Sequence, residues 1–174
     1  MNKLINALGF QVGWWACIAG IGHGFEIEAI AFCVLLIMTH LYFSTHRLQD
    51  IQIGMFALAA GILVDTALQY LSVIQFYGWA LGPLSPFWLW MLWLMFALTL
   101  NASLAFLKNC SLFVPAVLGA IFGPLTYYAG AKLGAANLDF TPFNIAMLAI
   151  AWMLVLPLLV MTAQAPSHTP KDHT

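Results

Sequence analysis

Six long apolar runs separated by short polar loops constrain this chain more than any other feature. Their approximate limits are 4–21, 27–43, 51–73, 85–107, 112–133 and 143–162. A helix that crosses a bilayer needs about 20 apolar residues. The pattern therefore predicts an all-α, polytopic membrane bundle of about six transmembrane helices. Only 6% of residues are charged and 63% are hydrophobic, against about 25% charged in a soluble domain, so water is not the main solvent. Residues 1–164 read as a single transmembrane helical domain. The polar tail 165–174, with two prolines, is expected to be disordered.

The first run follows Lys3, as a signal peptide would. Asn6, Gln11, Trp14 and Trp15 interrupt the apolar core that a signal peptide needs, so a retained helix is expected. With six spans, Lys3, Arg47, Lys108 and Lys171 fall on one side and Lys132 on the other. Positive residues gather on the cytoplasmic side, which predicts that both termini are cytoplasmic. No internal repeat is legible, and Asp65 has no counterpart in the second half.

The cheapest exclusions come from charge and motifs. A net charge of −1 leaves no basic face for nucleic acid. Cys17, Cys33 and Cys110 show no paired or zinc-like spacing and read as small apolar side chains. His23, Glu26 and Glu28 lie too close together in sequence to predict a metal site, and the two acids suit a helix N-terminus. No phosphate-binding loop, zinc-protease motif or nucleophile elbow occurs. No cofactor and no metal are expected.

Asp65 is the residue that asks most of its surroundings. A carboxylate at the centre of a spanning helix costs about 2.5–3.5 kcal/mol on insertion scales. Gly54, Gly61, Asp65, Gln69 and Ser72 share one helical face, which is expected to turn toward protein. Depth along the helices, at about 1.5 Å per residue, brings Gln69, Tyr127, Tyr128, Lys132 and Gln11 within reach. These residues are expected to form one polar, outward-opening pocket around Asp65, with Trp88, Trp90 and Trp93 lining its apolar part. Asn6 and Asn101, with Thr99, form a second polar level and serve as helix–helix glue. His40 is expected to be a hydrated end residue, with membership of this second polar level as the alternative. Gly119 and Gly123 form a close-packing pair, and Pro124 kinks the same helix. Asp65 has two readings: a structural lock, or a functional acid that carries a proton or anchors a ligand.

Four stretches carry a resemblance. They are Gly9-Phe10-Gln11-Val12-Gly13-Trp14-Trp15, the lone Asp65, Leu98-Thr99-Leu100-Asn101-Ala102-Ser103-Leu104, and Gly123-Pro124-Leu125-Thr126-Tyr127-Tyr128-Ala129-Gly130-Ala131. Together they resemble a family of small bacterial inner-membrane proteins of unknown function. Members are often encoded near fatty-acyl-modifying enzymes of the cyclopropane fatty acid synthase type. The resemblance implies a place in membrane-lipid metabolism and, as a partner, a lipid-modifying enzyme; it brings no site residues. The expectation is thus a lipid-associated inner-membrane protein whose pocket binds a membrane lipid or small amphiphile. If it is an enzyme, Asp65 is the acid or base and Tyr127 the donor to developing charge. The alternatives are a proton-coupled transporter and a membrane scaffold for a partner enzyme.

Overall fold

The computed structural model describes residues 2–164, so the expectation for the tail concerns residues outside this range. Six helices follow in order: α1 (Lys3–His23), α2 (Glu26–Phe43), α3 (Arg47–Tyr70), α4 (Phe87–Leu100), α5 (Phe113–Lys132) and α6 (Pro142–Gln164). A short 3-10 helix, Ala105–Asn109, joins α4 to α5. Two-residue strands β1 (Gln75–Phe76) and β2 (Ala136–Asn137) pair antiparallel. The helices alternate in direction, so the starts of α1, α3 and α5 share one end of the bundle with the finish of α6. Five helices, all but α4, are long and apolar enough to cross a membrane.

The fourth segment departs from expectation. It was expected to stay helical to about residue 107, yet α4 has 14 residues and is about 21 Å long. The Thr99 carbonyl accepts the backbone N–H groups of Ala102 (3.0 Å) and Leu104 (2.7 Å), which closes the helix into tight turns. The physical reason lies in the residues that follow. Asn101 and Ser103 reach sideways to partners on α3 and α1, and a continued helix would rotate them away.

α4 is the central element, packed against α1, α2, α3 and α6. A helix apolar on every face belongs in such a position. Small residues let its neighbours approach: a Cβ at Gly13 would collide with Met95, and one at Gly20 with Ala29. In the same α1–α2 seam the buried Sγ atoms of Cys17 and Cys33 lie 3.4 Å apart. α5 packs mainly on α6, which leaves a gap between α5 and the α1–α4 pair.

The segments α3–β1–α4 and α5–β2–α6 are matched hairpins, a relation that side-chain identity conceals. Asp65 and Tyr127 stand 62 residues apart. Gly61 and Gly123, Ser72 and Gly134, and Gln75 and Asn137 keep the same separation. Ser72 and Gly134 both adopt the left-handed conformation, with φ of 58° and 89°. Each sits just past its helix, where Val73 N–H bonds the Leu68 carbonyl and Ala135 N–H bonds the Gly130 carbonyl, both at 3.0 Å. Gln75 pairs with Asn137, its own counterpart, as a local twofold axis requires. The residue matching Asp65 is therefore Tyr127, not a second acid.

Candidate functional site: a sealed carboxylate beside an apolar cleft

Asp65 is fully buried. Its Oδ1 accepts from Tyr127 Oη at 2.5 Å and its Oδ2 accepts from Trp93 Nε1 at 2.7 Å. The backbone explains why these three meet. Gly61, one turn before Asp65 on α3, leaves room for the Trp93 ring; Gly123, one turn before Tyr127 on α5, leaves room for Trp152. The two indoles stack between the glycines, with centroids 4.9 Å apart and planes 8° from parallel. Each hairpin thus contributes a glycine notch, a tryptophan and, one turn on, half of the Asp65–Tyr127 hydrogen bond.

A cleft of about 760 Å³ fills the gap between α5 and the α1–α4 pair. Phe10, Gln11, Trp14 and Trp15 wall it from α1, Trp88 from α4 and Phe122 from α5. Trp93, Tyr127 and Trp152 also border it, so they stand between the cleft and the Asp65 carboxylate. The expected polar pocket around Asp65 is therefore corrected on two points. The cavity is walled by apolar and aromatic side chains, and the acid is sealed behind its wall.

The expected cluster also dissolves into separate places. Of Gln69, Tyr127, Tyr128, Lys132, Gln11 and Trp90, Tyr127 alone hydrogen-bonds Asp65. Gln69 turns toward the strands, and its Oε1 accepts from Phe76 N–H at 3.2 Å. Tyr128 lies one residue, and hence about 100°, round α5 from Tyr127. Its ring meets Phe140 at 4.4 Å, and Lys132 is exposed with its Nζ 5.4 Å from the same ring. Trp90 donates to Ser85 Oγ at 3.2 Å and lies outside the cleft lining, whereas Gln11 lies on the cleft wall. Equal depth places residues at one level but leaves their rotation about each helix free.

A second polar network closes the end where α1 and α3 begin. Asp50 is buried, not part of a solvated loop, and accepts from Ser44 Oγ at 2.5 Å and Asn101 Nδ2 at 2.8 Å. His40 Nε2 lies 3.1 Å from Asp50 Oδ2, and His40 Nδ1 lies 3.3 Å from Asn6 Nδ2. Asn6 Oδ1 accepts from both Ser103 N–H (3.2 Å) and Ser103 Oγ (2.6 Å). That contact fixes the Asn6 amide, so its NH₂ faces His40 and the imidazole donates from Nε2 to Asp50. His40 is thus a buried bridge between α1 and α3, in contrast to the hydrated residue expected. Lys108 Nζ completes the chain on Asn101 Oδ1 at 2.7 Å and the Ala163 carbonyl at 3.3 Å. Burial pushes the Lys108 ammonium below its ordinary range, and the Asp50 charge opposes that shift.

At the opposite end, Glu26 does more than favour a helix dipole. It is largely buried, and both carboxylate oxygens lie 2.9 Å from Trp79 N–H. Gly119 and Gly123 both face Trp152, so close packing at this pair joins α5 to α6. The residues that sequence reasoning missed are Trp93 as a donor to Asp65, and Asp50, Ser44 and Ser103 in the end network. Trp93 was visible only as a member of an aromatic group. Asp50 sat beside a polar loop, and no local signal told it from a solvated residue.

A protein-family profile described as "Protein of unknown function (DUF2878)" matches residues 3–158. The chain belongs to this family. The match takes in α1 to α5 and most of α6, so the hairpin match, the sealed acid and the side chains of the end network lie inside the DUF2878 region. No curated protein and no solved structure matches the chain.

Proposed function

We propose that this DUF2878 protein is a multi-pass protein of a bacterial inner membrane that binds a lipid or small amphiphile in the α1–α4–α5 cleft. The observation that carries this reading is the cleft itself. Its volume of about 760 Å³ falls within the roughly 300–1,000 Å³ of small-molecule sites. Its aromatic walls suit an apolar ligand, and its position between helices lets such a ligand enter sideways from the bilayer. The resemblance to proteins encoded beside fatty-acyl-modifying enzymes supports the same reading and makes such an enzyme the partner to test.

The end that carries Lys3, Arg47 and Lys108 is assigned to the cytoplasm, with both termini. A reporter fused after Thr174 should score as cytoplasmic; periplasmic activity would reverse the assignment. For binding, the lipids retained by the purified protein are compared with those of Thr126→Trp. Thr126 is exposed and borders the cleft, so the larger ring fills the space without disturbing the core. Selective loss of one retained species supports the reading. An identical lipid profile for the two proteins sinks it.

The transporter alternative makes Asp65 a proton carrier. Both oxygens are held and the residue is fully buried, which favours the structural lock. Asp65→Asn separates the two: it abolishes proton-coupled uptake in a carrier, and leaves ligand retention intact in a binding protein. The scaffold alternative expects a partner enzyme to be retained by both Asp65→Asn and Thr126→Trp.

A further inference from the structure

The cleft wall is apolar in bulk yet carries hydrogen-bond donors that nothing in the protein uses. Trp88 and Trp93, both at the cleft, spend their indole N–H groups on the Tyr77 carbonyl and on Asp65. Gln11, Trp14 and Trp15 differ: among the described residues their side chains have no hydrogen-bond partner.

Depth makes this unusual. Gln11 lies about 12 Å along α1 and Trp15 about 18 Å, in a hydrocarbon layer about 30 Å thick. Water and lipid headgroups do not reach that level. An unpaired N–H there forgoes a hydrogen bond that hydrocarbon cannot replace. Interfacial tryptophans keep the polar tip wet; these stand near the middle.

We infer that the cleft selects a bilayer-soluble molecule bearing carbonyl oxygens near the middle of the membrane, of the lipid-quinone class. This rests on the cleft being a binding site. The indole groups are pure donors, so the matching ligand presents acceptors. Ester carbonyls of phospholipids sit at the interface, outside this depth. A quinone ring carries two carbonyls and no donor, is planar enough to lie against Trp14 or Trp15, and dissolves in the bilayer interior through its apolar chain. Gln11 offers its NH₂ to one carbonyl, and a tryptophan N–H on the wall offers the second bond.

The test uses the full chain in detergent micelles and two probes, a decyl-substituted benzoquinone and decylbenzene, which lacks the oxygens. Native mass spectrometry reads the retained adduct. The quinone should be retained about tenfold more than decylbenzene, as two bonds of ordinary strength imply. Gln11→Leu and Trp15→Phe should each lower quinone retention by about 2- to 10-fold and leave decylbenzene unchanged. Both residues are exposed, and an unchanged melting temperature verifies that the variants fold. Equal retention of the two probes, or full quinone retention in Gln11→Leu, overturns the carbonyl assignment and leaves the cleft standing. If neither probe is retained and Thr126→Trp keeps the wild-type lipid profile, both readings fall.

Discussion

Two buried aspartates on one helix solve the same problem in different ways. Asp65 lies deep in the bundle, with one donor from each of two helices. Asp50 lies in the first turn of α3, with contacts from Ser44, His40 and Asn101, and its partners continue to Asn6, Ser103 and Lys108. The deep acid joins two hairpins at a single point. The shallow acid ties α1, α2 and α3 to the α4–α5 connection and, through Lys108, to the end of α6. Depth raises the cost of an unpaired charge, but the number of elements meeting at a group decides how much structure depends on it.

The sharpest way to break this contrast is to remove Asp50 itself and, at the other site, the groups that hold Asp65. Asp50→Ala leaves three donors unpaired at once and should cost about 2–4 kcal/mol, from bonds worth about 0.6–1.7 kcal/mol each in membrane bundles. Unfolding in mixed micelles, followed by circular dichroism, reads the loss. Gly123→Ala should cost somewhat less, about 1–3 kcal/mol, because the added Cβ meets the Trp152 ring and separates the indole stack. Loss of indole exciton signal in the near ultraviolet should accompany it. Tyr127→Phe should cost about 1 kcal/mol, since Asp65 keeps its bond from Trp93. If Tyr127→Phe proves more damaging than Asp50→Ala, the ranking of the two sites is reversed. The smallest effect is expected from Lys132→Gln. This exposed side chain rests beside Tyr128, and its replacement should leave the unfolding midpoint unchanged; a clear drop would return Lys132 to the Asp65 site.

Much of the scaffold was legible in hydropathy, because runs of apolar residues report directly on the solvent a segment meets. The fourth run misled because its apolar character persists to Leu107 while Asn101 and Ser103 turn the backbone aside. Asp65 was legible as a residue that needs partners, and Tyr127 as one of them, since depth follows from counting along helices. Tyr128 and Lys132 were assigned to the same place on depth alone, and rotation separated them; Gln69 shares the Asp65 face but lies one turn on, where it meets Phe76 N–H. Trp93 was hidden for the opposite reason: one indole N–H among several looks like bulk apolar surface until its direction is known. The hairpin match was invisible because what is shared is conformation: a left-handed residue after the helix, met once by serine and once by glycine.

The order and number of the helices, the alternating sense of the chain and the presence of an acid in need of donors follow from local composition, since burial in lipid acts on each segment separately. Which donors reach Asp65, that His40 and Asp50 form a buried bridge, and that a cleft opens between α1 and α5 are settled by packing. Rotation of a helix about its own axis costs almost nothing in hydropathy. It is fixed only when Gly61 admits Trp93 and Gly123 admits Trp152, contacts between residues far apart in the chain.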